Sequence, residues 1–155
     1  NWGDFVIAKS FMFYAILSVG TLFIAGPLVD KFTSRKLLPY MNIPSLLAMI
    51  ILFYFDNYFF AYFVLGLMGI SNGLANVLGS STWAEIYGVK YIGSIKALTT
   101  SMMVFSTAFG TAIFGIVIDF GYSIEFIALL SFLYIITANI LIIIFKSKIE
   151  PVLVK

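Results

Sequence analysis

The residues able to do chemistry are few, and most of them border long apolar runs. Asp30, Lys31, Arg35 and Lys36 lie in the stretch Gly26-Pro27-Leu28-Val29-Asp30-Lys31-Phe32-Thr33-Ser34-Arg35-Lys36, the densest charge cluster in the chain. An acid at the end of a helix can be held by the positive end of a neighbouring helix, for about 0.3–1 kcal/mol. Its competing role is a solvated turn in which Lys31 and Arg35 balance Asp30, worth little when exposed. A second set is uncharged. Tyr14, Ser18 and Thr21 share a helix face by their spacing of four and three, Asn72 and Asn76 lie one turn apart, and Thr99, Met103 and Ser106 fall near one face. Their amides and hydroxyls suit a polar solute. They equally suit a neighbouring helix, at roughly 0.6 kcal/mol per bond, and Ser and Thr can also bond back to their own helix. Glu85 stands far in sequence from any partner that would make it catalytic. The chain has no His and no Cys, which excludes imidazole bases, thiolate metal sites and disulfides. The residues suggest no cofactor, no metal and no enzyme.

These groups must be positioned by helices in lipid. Of the 155 residues 62% are hydrophobic and 10% charged, against about a quarter charged in soluble domains. The reading is an all-α integral membrane protein of one domain. Apolar runs of roughly 20 residues place five membrane helices at about 5–28, 37–55, 58–82, 93–118 and 122–145, followed by a basic tail at 146–155. Barrel strands are excluded, because the runs are too long and lack alternation. The charged stretch then reads as a hairpin turned by Pro27. Pro39 falls in the first turn of the second helix, and Pro44 is expected to kink it. Trp83 to Tyr91 reads as a polar loop. Gly66, Gly69, Gly73 and Gly79 run broadly along one face of the third helix. Gly69-x-x-x-Gly73 is a pattern that lets two membrane helices approach closely, so Gly66, Gly69 and Gly73 read as packing residues.

Five crossings put Lys31, Arg35, Lys36, Lys90, Lys96, Lys146, Lys148 and Lys155 on one side and Lys9 alone on the other. The excess of bases marks the cytoplasmic side. The N-terminus is therefore expected outside and the C-terminus in the cytoplasm, in the cell (plasma or inner) membrane. Asp4, Asp56, Asp119 and Glu125 fall outside, and Trp2, Tyr58, Trp83, Tyr87, Tyr91 and Tyr122 anchor the interfaces.

The charged stretch resembles the loop signature of the major facilitator superfamily of secondary transporters, Gly-x-x-x-Asp-(Arg/Lys)-x-Gly-(Arg/Lys)-(Arg/Lys). Gly26, Asp30, Lys31 and Arg35 match it, while Thr33 and Ser34 depart from it. That weakened form is similar to the copy between the eighth and ninth helices of the family. Trp83-Ala84-Glu85-Ile86-Tyr87-Gly88 with Gly93 resembles the loop between its tenth and eleventh helices, and Gly115 to Gly121 the end of its eleventh. The resemblance implies helices eight to twelve of twelve, so most of a C-terminal half. Asn1 in place of Met agrees with a fragment. It further implies alternating access: a small solute carried near the bilayer midplane, with the first, third and fourth helices facing the cavity or the other half. Asp30 would hold a gating loop against a helix of the missing N-terminal half. Tyr14, Ser18, Asn72, Asn76, Thr99, Met103 and Ser106 become candidates for the cavity. None of the charged residues falls near mid-helix, so a coupling charge would lie in the missing helices, or the solute is neutral. The rival reading is a truncated, non-transporting membrane remnant or scaffold. The bases are explained by topology, leaving no case for nucleic acid.

Overall fold

The computed structural model describes residues 3–55 and 57–146. The expectations resting on Trp2, Asp56, Lys148 and Lys155 lie outside the described residues, as do the tail beyond Lys146 and the side chains of Asp4 and Lys146. The described elements are all helical. They are α1 (Asp4–Phe32), α2 (Ser34–Leu37), a 3₁₀ turn (Leu38–Tyr40), α3 (Ile43–Tyr54), α4 (Phe60–Tyr87), a 3₁₀ turn (Val89–Tyr91), α5 (Ile92–Asp119) and α6 (Ile124–Lys146). They form five stretches long and apolar enough to cross a membrane, Phe5–Phe32, Ser34–Tyr54, Phe60–Tyr87, Val89–Asp119 and Ile124–Phe145. The chain is an integral membrane protein whose described elements are all helices.

Several helix ends differ from those read in the sequence. Pro27 lies inside α1 and does not turn the chain. A proline in a membrane helix removes one bond, and neighbouring groups re-satisfy what it frees. Asp30 and Lys31 therefore occupy the last turn of α1, which ends at Thr33, with φ 65 and ψ 143. The second predicted helix is broken in two. Pro39 sits in the 3₁₀ turn and Pro44 in the first turn of α3, so Pro44 starts a helix where a kink was expected. Trp83 to Tyr87, read as a loop, continues α4. Ala and Glu propagate a helix well, and the first breaker is Gly88, at φ 73.

The helix α4 organises the packing. On one side it runs beside α1, on another it meets α3, and α3 in turn packs on α6. Tyr14 lies against Gly69, Ser18 against Gly73 and Ser34 against Thr82, so α1 and α4 advance in the same direction. Between α3 and α4, Ala48, Met49 and Val64 form a buried cluster joined by Leu67, Met68, Phe132 and Ile135. The side chain of Asn42, at the start of α3, donates to Asn139 Oδ1 on α6 at 3.1 Å. The fourth long helix, α5, stands apart: it has no buried residue and touches α4 only sparsely.

Candidate functional site

Ser71, Leu78, Thr82 and Glu85 follow one another on α4 at spacings of seven, four and three. Helical periodicity puts them on one stripe, and the stripe faces the broken connection between α1 and α3. Ser71 Oγ donates to the Met41 carbonyl at 2.6 Å, next to the interruption ahead of α3. Thr82 Oγ1 donates to Ser34 Oγ at 3.0 Å. The backbone N–H of Ser34 donates to Glu85 Oε1 at 2.8 Å, and Arg35 Nε to Glu85 Oε2 at 3.3 Å. The physical need is plain. An unsatisfied backbone group in a membrane costs several kcal/mol, and Ser34, which begins α2, is fully buried. The carboxylate of Glu85 thus acts as the cap of a helix it does not belong to, while also pairing with Arg35.

The sequence reading places Glu85 far from any catalytic partner and does not foresee these structural ones. Its partners lie fifty and fifty-one residues away in sequence. The signal available was the stripe itself, three polar residues recurring at helical spacing on a helix whose length was underestimated.

The remaining sites divide into three groups. In the charged stretch, Arg35 is engaged by Glu85, Lys31 Nζ lies 5.3 Å from the centre of the Phe32 ring, and Gly26 is half-buried with open space where a Cβ would stand. Asp30 is exposed, and among the described residues it has no ion pair. On one flank of α1 and α4 the structure brings Ser18, Asn72 and Asn76 together, and Tyr14 stands one turn before Ser18, its carbonyl against Gly69. Asn72 Nδ2 donates to Ser18 Oγ at 3.3 Å, and Asn76 Nδ2 to the Asn72 carbonyl at 2.9 Å. Thr99, Met103 and Ser106 do not join them. They lie on α5, where Thr99 donates to the Ile95 and Lys96 carbonyls, and Met103 and Ser106 are exposed. Ser101, Thr107 and Thr111 likewise bond back to carbonyls four residues earlier, which leaves that helix's hydroxyls largely occupied by their own backbone.

Comparison of the chain with protein-family models, with curated proteins and with solved structures finds no match. Among the described residues no three or more His, Cys, Asp or Glu gather as metal ligands would.

The packing glycines Gly66, Gly69 and Gly73 are all buried. A Cβ on Gly69 would strike the Tyr14 carbonyl, and one on Gly73 would lie 2.6 Å from the Ser18 carbonyl. A Cβ on Gly66 would meet only Leu17 Cδ1, at 2.9 Å.

Thr33 is strained, being the one positive-φ residue other than glycine among the described residues. The helix α4 ends in a similar backbone geometry at Gly88, φ 73 and ψ 168, close to a region essentially restricted to glycine. Thr33→Gly is expected to raise stability by up to about 1 kcal/mol, the relief of strain exceeding the extra freedom glycine gives the unfolded chain. A reversible unfolding titration in detergent checks the sign.

Proposed function

We propose that the chain forms most of the C-terminal half of a secondary transporter of the major facilitator type, moving a small solute by alternating access. One observation carries this reading. Two stretches that resemble separate motifs of that family, Gly26 to Lys36 and Trp83 to Gly88, meet in space through Ser34, Arg35 and Glu85. Such a junction ties the end of one long helix to the end of another and lets them move as a unit, as rocking of rigid halves requires. In this reading the bases at the end of α1, in α2, in the turn after α4 and at the start of α5 face the cytoplasm. Tyr14, Ser18, Asn72 and Asn76 face the solute path. The exposed α5, with Thr99, Met103 and Ser106, meets helices of the other half. Asp30, exposed on the last turn of α1, docks on a helix end of that half.

The test uses the complete transporter, once uptake screening has identified its solute. Asp30→Asn is expected to slow uptake several-fold with insertion and yield unchanged. Unaltered uptake by that variant removes the docking role. Failure of any longer polypeptide containing this chain to move solute favours the non-transporting scaffold.

A further inference from the structure

At the end of the bundle away from Glu85, a cleft of 720 Å³ opens between α1 and α4. Its size lies within the roughly 300–1,000 Å³ of small-ligand sites. Lys9, Phe13 and Leu17 form one wall, spaced four apart along α1, and Phe63, Gly66 and Ile70 belong to the other. Leu67 lines the cleft and also packs into the α3–α4 cluster, so the cleft is on the α3 side of α4. Asn72 points about 200° around α4 from Ile70, at 3.6 residues per turn. The cleft is therefore separate from the polar flank of Ser18, Asn72 and Asn76.

Apart from Lys9 and the Tyr62 hydroxyl, the residues of the cleft carry hydrocarbon side chains or, in Gly66, none. Lys9 is exposed, its Nζ lies 4.3 Å from the centre of the Phe5 ring, and among the described residues no carboxylate pairs with it. Its stem lies along the apolar wall and its ammonium reaches the helix end, as lysines do at a membrane interface. A cation at the mouth of a long apolar cleft matches a molecule with a negative head and a hydrocarbon tail.

We propose that this cleft binds an anionic phospholipid, its phosphate on Lys9 and an acyl chain along Phe13, Leu17, Phe63 and Ile70. The inference rests on the membrane-spanning helices and is independent of any transport activity. One lysine near an anionic headgroup favours it about fivefold over a zwitterionic one.

The test uses the full chain with Trp2→Phe and Trp83→Phe, carrying Phe63→Trp as the reporter, reconstituted in phosphatidylcholine vesicles. Lipid brominated in its acyl chains quenches the reporter where a chain lies beside it. Brominated phosphatidylglycerol is expected to quench about fivefold more effectively per mole than brominated phosphatidylcholine. Lys9→Gln is expected to bring the ratio to one without abolishing quenching. Equal quenching by the two lipids in the Lys9 protein overturns the proposal, since the cleft then holds only bulk lipid. Absence of quenching by either also overturns it, since another segment of protein then covers the cleft.

Discussion

Gly69→Ala is expected to destabilise the helix bundle by about 1–3 kcal/mol, the usual cost of overpacking a fitted interface. Gly69→Val should exceed that range. The atom that a new Cβ meets is the Tyr14 carbonyl oxygen, which belongs to a backbone and cannot swing aside. To admit the methyl group, α1 and α4 must separate. Gly73→Ala should behave alike, because its Cβ falls 2.6 Å from the Ser18 carbonyl and 2.8 Å from Thr21 Cβ. Gly66→Ala should cost less, since the end of the Leu17 side chain can rotate away. Gly79→Ala and Gly110→Ala set the opposite sign. Nothing stands within 4 Å of either Cβ position, and alanine favours a helix interior by about 1 kcal/mol over glycine. At Gly69 and Gly73 the hydrogen in place of a side chain points at a carbonyl of α1, a contact worth about 0.5–1 kcal/mol. The measurement is equilibrium unfolding in mixed micelles across the five alanine variants. A common cost at all five positions would mean that helix propensity or flexibility decides, and the close approach of α1 to α4 would lose its energetic meaning.

Much of the membrane architecture was legible in the sequence because it depends on local composition. Apolar runs of helical length give the five spans, and Gly69-x-x-x-Gly73 announces a face that another helix approaches. Which helix approaches was not legible. The register of α1 on α4 depends on how Tyr14 and Ser18 meet those glycines, and no local pattern encodes that meeting. Helix ends failed for a related reason. Charge suggests a loop, yet Asp30, Lys31 and Glu85 all sit on helices, because a charged side chain at a membrane surface is solvated equally well from a helix. The breaks follow backbone chemistry: Pro44 where α3 begins, Gly88 where α4 ends, and Thr33, whose positive φ nothing in its side chain foretells. Helix α5 carries a hydroxyl-rich run from Thr99 to Thr111, but hydroxyls that bond to their own backbone do not tell whether a neighbouring helix covers them. The gathering of Ser18, Asn72 and Asn76 was half-visible, as two faces on two helices, but their contact belongs to the tertiary structure.

Glu85→Ala is expected to cost about 2–3 kcal/mol of stability and to loosen the α1–α2 junction, whereas Arg35→Met should cost about 1 kcal/mol. The asymmetry follows from what each change leaves behind. The ion pair joins side chains with 28% and 26% exposure, and partly exposed pairs contribute about 1 kcal/mol at most. Ser34, by contrast, is fully buried. Loss of the carboxylate leaves its N–H without an acceptor, and an unsatisfied buried donor costs about 1–3 kcal/mol. Glu85→Gln separates the two contributions. The amide oxygen still accepts from Ser34, so the cap persists while the charge is gone, and the expected cost is about 1 kcal/mol, near that of Arg35→Met. A double-mutant cycle between Arg35 and Glu85 then isolates the pair. Hydrogen exchange at the Ser34 amide reads the junction directly: it should accelerate in Glu85→Ala and stay protected in Arg35→Met and Glu85→Gln. If Arg35→Met exposes that amide as fully as Glu85→Ala does, the ion pair holds the junction and the capping role of Glu85 fails. If protection follows the acceptor, α4 secures the start of α2 by completing its backbone. In that case the polar stripe of Ser71, Thr82 and Glu85 supplies hydrogen bonds to the chain where it breaks inside the packed bundle.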